Sequence, residues 1–350
     1  MAPFSNLNTA WFALIGVLWA GFLFLEGFDF GVAVVTPFLA RDDTDRRLCM
    51  NSVGPTWDGN EVWLLVAGGA TFTAFPTWYA RLFSGFYLAL FLILLALIAR
   101  GVSFEFREKV DSARWRKTWD WANFIGSLVP AVVFSVAFTD FVHGLPLGPD
   151  GRYYGGILGL LHPIALVGGL AGLAVFCMHG SLFLSLKTSG ELSIRARQAA
   201  RLLVLPAFVL LCTTVTWVAV AGRPPVAGSL PSAVPLVLAI VALGSLVVAG
   251  VCVGARREGL GFAATGCTIL LVIGAVFARM FPAVLPSSGI SAHSLTIGAA
   301  SAGHLTLLVM TVVAAIFTPL VLAYQAWTYW VFRQRLIRPP LAAEAGPGHG

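Results

Sequence analysis

Apolar residues run along this chain in long stretches, separated by short segments that are either charged or rich in Gly, Pro and Ser. A helix crossing a bilayer needs about 20 mostly apolar residues. Nine stretches meet that length, at roughly 9–38, 59–78, 82–102, 120–142, 158–186, 202–222, 233–253, 261–280 and 302–332. The first, fifth and ninth exceed it and are expected to tilt or protrude. No connection is long enough to fold separately, so residues 1–338 are expected to form one membrane domain. The end, 339–350 (PPLAAEAGPGHG), reads as a disordered cytoplasmic tail.

Basic residues check the count. With nine spans, eighteen of the 22 Lys and Arg fall on one side, in the connections after the first, third, fifth and seventh spans and after the ninth. The other side holds only Arg81, Arg152, Arg223 and Arg279. The positive-inside rule then places the N-terminus outside and the C-terminus in the cytoplasm. Adding or removing one span scrambles the division.

Composition agrees. Of 350 residues, 58% are hydrophobic and 11% charged, with a mean hydropathy of +0.86; a soluble domain carries about 25% charged residues. A soluble enzyme, a disordered chain and a nucleic-acid binder are excluded. The net charge of +6 follows from the basic connections, without an acidic partner. Cys49, Cys177, Cys212, Cys252 and Cys267 form no CxxC pair and read as small packing residues. No basic segment precedes the first stretch, which is about twice the length of a signal-peptide core, so it is expected to be retained.

Ionisable side chains inside a span cost about 2.5–3.5 kcal/mol and mark function. In the first span Glu26 and Asp29, three residues apart, share a helical face, and Gly27 and Gly31 allow close approach of a neighbouring backbone. The second span opens GPTWDGNEVW, with Asp58 and Glu61 at the same separation. The third ends ARGVSFEFR, with Arg100 in apolar surroundings and Glu105 about one turn beyond; the fourth opens WDWANF around Asp120. Plainer readings exist for several of these. Asp58 and Glu61 match a capping box, Asp120 suits an N-cap, and Trp57, Trp63, Trp119 and Trp121 suit an interfacial belt. Glu26 has no such reading: it lies deep in its span and needs a proton, a partner or water. Arg100 is the natural cation for these acids. The set fits either a proton route from the cytoplasm or an ion-pair network locking helices together.

Among the histidines, His143, His162, His293 and His304 fall near outer span ends and His349 in the tail; only His179 lies well inside. Nothing stands opposite His179 to make a two-histidine haem site, and no CxxCH motif occurs.

FLEGFDFG (24–31), GPTWDGNEVWL (54–64), ALIARGVSFEFR (96–107), WDWANF (119–124), KTSGELSIRAR (187–197) and ARMFPAVLPSS (278–288) strongly resemble subunit II of the cytochrome bd-type quinol oxidases. The similarity extends from the first span to the ninth. The resemblance implies an all-α integral membrane protein of two four-helix bundles plus one peripheral helix, in the bacterial cytoplasmic (inner) membrane. It implies the non-haem-ligating subunit of a terminal oxidase that oxidises quinol and reduces O2 to water. In that family subunit I carries haems b558, b595 and d, and small accessory subunits and a structural quinone in subunit II occur in some members. Carried over by position, Asp58 and Trp57 are expected in the proton route, to which Glu61 and Glu26 are added from their depth. Trp63 is expected on the oxygen path, and Asp29, Arg100 and Asp120 in a buried polar cluster, to which Glu105 is added from its place about one turn beyond Arg100. The rival is a secondary transporter coupling an ion through Glu26, Asp29 and Arg100, although no matched pair of broken spans supports it. A structural scaffold without chemistry is a second rival.

Overall fold

The computed structural model describes residues 6–221, 223 and 225–338; the expected tail at 339–350 lies outside them. The chain is almost entirely helical: α1 (Asn6–Leu39), α2 (Asp43–Val53), α3 (Trp57–Ala74), α4 (Pro76–Gly85), α5 (Tyr87–Phe106), α6 (Ala113–His143), α7 (Pro163–Lys187), α8 (Gly190–Val220), α9 (Ala233–Gly254), α10 (Glu258–Met280), α11 (Ile297–Ala300) and α12 (His304–Val331). One short antiparallel pair, β1 (Ala283–Leu285) with β2 (Leu295–Thr296), lies between α10 and α11.

Among the described residues, eight helices are long and apolar enough to cross a membrane: α1, α5, α6, α7, α8, α9, α10 and α12. This is a multi-pass membrane protein. The second expected span, 59–78, differs from expectation: it is two helices, α3 and α4, and α3's polar start Trp57-Asp58-Gly59-Asn60-Glu61 keeps it out of the eight. The break has a local cause. Pro76 opens α4, and the residue before a proline is steered out of helical geometry; Phe75 has φ −136° and ψ 68°. The third and fifth spans begin later than expected, at Tyr87 and Pro163.

α1 is the hub. It packs against α3, α6, α7 and α10, so Ile15, Phe22, Glu26 and Phe30 along it are fully buried. Its tightest crossing is with α7. A Cβ on Gly31 would lie 1.9 Å from the carbonyl oxygen of Phe176, and one on Gly180 would lie 2.4 Å from the backbone nitrogen of Val32. Gly31 therefore does admit a neighbouring backbone. Gly27 faces the ring of Phe176 and the tip of Ile269 instead. Helices α7, α8, α9 and α10 form a closed ring of neighbours, while α5 pairs with α6 and α12 packs at the edge against α1 and α3. Much of the outer surface is apolar, as at Leu202, Val220 and Leu305, which in water would be a liability and in lipid is a match.

The connections meet in two groups. At one end Asp45 of α2 accepts from Arg195 of α8 and from Arg338 after α12, at 2.8 and 3.1 Å, and Arg46 meets Asp120 of α6 at 3.0 Å. At the other end Arg81 of α4 donates to the Gly151 carbonyl, Ala302 donates to the carbonyl of Ala74, and Leu145 bridges to Ser287.

Candidate functional site

Four helices bring one guanidinium against three carboxylates. Arg100 of α5 is fully buried, with Nη1 3.0 Å from Glu26 Oε2 and 3.1 Å from Glu61 Oε2, and Nη2 3.8 Å from Asp29 Oδ2. α1 supplies Glu26 and Asp29 from one face, as their spacing predicts, and α3 supplies Glu61. Gly126 of α6 allows α5 in close: a Cβ there would lie 2.6 Å from the Ala96 carbonyl oxygen and 2.8 Å from Arg100 Cβ. Phe30, Trp57 and Phe104 surround the cation, with its Cζ 5.1, 5.8 and 5.7 Å from their ring centres. Trp57 stacks on Phe104 at 4.9 Å. One cation stands against three carboxylates, so the group carries an excess of acid that protons or further positive charge must offset.

A second layer ties the cluster to α12. Asn60 Nδ2 donates to Asp29 Oδ2 at 2.8 Å, and its Oδ1 accepts from Tyr329 Oη at 2.7 Å and Gln325 Nε2 at 3.3 Å. Gln325 Oε1 in turn accepts from Trp63 Nε1 at 2.8 Å. Asn60, Gln325 and Tyr329 are absent from the sequence reading. The available signal was Gln325 and Tyr329 four residues apart in an otherwise apolar span, which places both on one face. Tyr329→Phe is expected to cost about 0.5–1.5 kcal/mol, the net worth of one hydrogen bond, measured as a small fall in the thermal midpoint of the purified complex.

Exposure is graded. Glu26 and Asp29 are sealed, the Glu61 side chain is 24% exposed, and Asp58 is exposed, accepting from the backbone N–H of Gly59 at 2.7 Å. The capping box does not form: α3 begins after Thr56, and Glu61 turns to Arg100 rather than back to the helix start.

Two expectations for the buried polar cluster need correction. Glu105 is exposed and makes no ion pair among the described residues; five residues beyond Arg100, it lies on a different face of α5. Asp120 belongs to a separate network nearer the helix ends and is not an N-cap, since α6 starts after Ser112. That network centres on Arg107, 1% exposed, which reaches Asp120 Oδ1 at 2.7 Å, Glu108 at 2.6 Å and Asp43 at 2.5 Å. Arg107 was read only as a loop charge. Nearby, the backbone N–H of Asp45, together with the Arg338 guanidinium, holds the Asp42 carboxyl below its usual range.

Trp63 packs over Gly21, whose Cβ would lie 2.4 Å from its ring. Beside it, between α3, α4, α5 and α6, lies a cavity of about 570 Å³ with mostly apolar walls, among them Trp19, Leu64, Phe72 and Phe134. Trp63 is not part of that wall.

The surroundings of His179, the one histidine deep in a span, are crowded. His179 is fully buried, but Nδ1 lies 2.6 Å from Thr265 Oγ1 and the ring stacks on Phe262 at 4.2 Å, with Phe24 and Phe28 also against it; phenylalanine rings fill the space a macrocycle needs. At the other end His162 Nε2 lies 2.8 Å from buried Asp140, and its ring is 4.8 Å from that of His143. Burial, with His143 alongside, lowers the His162 pKa. Among the described residues no group of three His, Cys, Asp or Glu is arranged to hold a metal ion.

A family model described as cytochrome bd terminal oxidase subunit II matches residues 7–332. The chain is 39% identical over 332 residues to the cytochrome bd ubiquinol oxidase subunit 2 of Bacillus subtilis (strain 168), covering 95% of this chain and 97% of that protein. It is 37% identical over 368 residues to the cytochrome bd-I ubiquinol oxidase subunit 2 of Escherichia coli (strain K12), covering 97% of each. Among solved structures, a chain of the bd oxidase from Geobacillus thermodenitrificans matches with a TM-score of 0.62 at 12% identity, covering 93% of this chain and 97% of that one; this likeness shows the fold.

Proposed function

The chain belongs to the cytochrome bd terminal oxidase subunit II family, and we propose that within the oxidase it carries protons from the cytoplasmic face toward its boundary with the haem-bearing subunit. It is a subunit of a quinol oxidase complex, an oxidoreductase of respiratory electron transport, and a partner subunit is implied. The transporter reading is not favoured.

The observation that carries the proposal is the graded series of acids ending on a sealed cation: exposed Asp58, half-buried Glu61, then Glu26 and Asp29 around Arg100. Reduction of O2 to water consumes protons, and a proton path through lipid must be walled by protein. Trp57 shields the path by stacking beside Arg100. Glu61 connects the exposed acid to the sealed ones, and Asp29 passes the network on to Asn60 and Tyr329. Asp29 Oδ1 and Arg100 Nε have no hydrogen-bond partner among the described residues, and such atoms are the kind that ordered water satisfies.

The remaining assignments belong to the same reading. Haems b558, b595 and d reside in the partner and supply the electron transfer to O2, in keeping with the crowding around His179. Quinol and O2 are substrates of the complex. Oxygen approaches through the apolar cavity next to Trp63. α3 crosses as a ninth span, giving an outer N-terminus, a cytoplasmic C-terminus, two four-helix bundles (α1, α3, α5, α6 and α7 to α10) and a peripheral α12. The alternate gathering of connections at two ends supports that count. The chain sits in the bacterial inner membrane as a single domain. Accessory subunits and a structural quinone have no residue here that points to them.

The test is Asp58→Asn in the purified complex. Quinol oxidase turnover is expected to fall severalfold while the reduced-minus-oxidised haem spectrum keeps its amplitude. If the spectrum collapses with the activity, Asp58 is an assembly element and the proton role is wrong.

A further inference from the structure

Of the four basic residues outside the basic connections, two stand side by side. Arg223, after α8, donates through Nη2 to the carbonyl oxygens of Arg279 and Met280, and so caps the end of α10. Arg279 Nη2 donates back to the Arg223 carbonyl at 3.4 Å. Neither guanidinium pairs with a carboxylate among the described residues, and Arg223 is 6% exposed, with Nε lacking a partner. Burial, then the charge of Arg279, pulls the Arg223 pKa down to about 10. Two adjacent cations without an anion are a costly arrangement in a half-buried place.

Arg279 lines one end of a partly open cavity of about 320 Å³ bordered by α1, α6, α7, α8, α9 and α10, and Arg223 stands against Arg279 outside the cavity wall. Arg279 and Ser232 line that end, and Thr268 lines the wall eleven residues earlier along α10. At 1.5 Å per residue the cavity runs about 17 Å along the helix, comparable with one leaflet of a bilayer core of about 30 Å. Its walls are apolar in effect. The hydroxyls of Ser135, Thr139, Thr214 and Thr268 donate to backbone carbonyls. At the mouth, α9 begins with no acidic residue in its first turn and no side-chain cap from Ser232, adding the positive end of a 22-residue helix.

We propose that this cavity seats one acyl chain of an anionic phospholipid whose phosphate is held by Arg279, with Arg223 and the first turn of α9 adding positive charge behind it. The charge selects the occupant. A neutral ring compound with an apolar tail would fill the cavity and leave both cations uncompensated. A free anion would answer the cations and leave the apolar depth unused. The inference is independent of the proton route.

The test uses the intact oxidase complex, washed with a neutral detergent and extracted for bound lipid by mass spectrometry. Wild type is expected to retain an anionic phospholipid, phosphatidylglycerol or cardiolipin, in amounts stoichiometric with the complex. Arg279→Gln, which leaves the Arg223 cap in place, is expected to retain about tenfold less, the loss of one charge-assisted contact. Val272→Phe keeps both arginines, narrows the cavity, and is expected to lose the lipid similarly; it decides the matter if Arg279→Gln fails to assemble. Inorganic phosphate at millimolar concentration is expected not to displace the lipid. The proposal is overturned if wild type retains no anionic phospholipid, if it holds a quinone or neutral lipid there, if phosphate alone competes, or if Val272→Phe retains as much as wild type.

Discussion

Replacing Arg100 by glutamine is expected to remove assembled oxidase from the membrane. The guanidinium lies within 3.0–3.8 Å of three carboxylates and has no exposed surface. Without it, Glu26 and Asp29 face each other and Glu61 with no cation, inside a protein that lipid surrounds. Breaking a buried ion pair by deleting one partner costs about 3–5 kcal/mol, and here one deletion strips three partners. A domain's whole stability is about 5–15 kcal/mol. Arg100→Lys keeps the charge but cannot reach several acids with a planar fork, so it is expected to fall between wild type and Arg100→Gln. The yield of the complex on a native gel and its thermal midpoint measure both. An Arg100→Gln complex that assembles with an unchanged midpoint contradicts the geometry of the cluster.

Gly31→Val is expected to be equally severe for a different reason. The new Cβ would lie 1.9 Å from the Phe176 carbonyl oxygen and 3.0 Å from Gly180 Cα. Those are backbone atoms of a packed helix, so no side-chain rotation relieves the clash. Overpacking typically costs about 1–3 kcal/mol, and more where the backbone must move; here α1 and α7 must separate. Since α1 also carries Glu26 and Asp29, the cluster is lost with the crossing. Gly69→Ala is the control, because a Cβ there meets nothing within 4 Å. Folded yield after detergent extraction is expected to collapse for Gly31→Val and to hold for Gly69→Ala. Equal yields would show that the close crossing is not required.

How much of this was legible in the chain depends on the distance over which each feature is set. Apolar length and basic connections are local, so eight of the expected spans appear as helices, most with ends shifted by a few residues; α6 and α8 start well before the expected 120 and 202, at Ala113 and Gly190, because charged turns at their starts are helical too. The break inside the second expected span was not legible, because a run of apolar residues conceals the turn that Pro76 imposes through its neighbour Phe75. Glu26, Asp29 and Arg100 stood out because a charge in an apolar stretch is anomalous wherever its partner lies. Asn60, Gln325 and Tyr329 did not, since neutral polar side chains are common near span ends and only the meeting of α3 with α12 gives them a shared acceptor. Arg107 and Asp45 were hidden for the opposite reason: each sits in a basic or acidic segment that looks solvated until α2, α6 and α8 close over it. Glu105 was overvalued because nearness in sequence to Arg100 was taken for nearness in space.

Glu61 is the partly exposed acid of the series and reaches the sealed cation directly, 3.1 Å from Arg100, so Glu61→Gln in the purified complex is the decisive substitution. Steady-state O2 consumption with saturating quinol is to be measured beside the haem difference spectrum of the same sample. The expected result is intact haem amplitude with turnover reduced by about a hundredfold, the lower range for loss of a proton-transferring group. Wild-type turnover with intact haems would contradict a proton route through this chain.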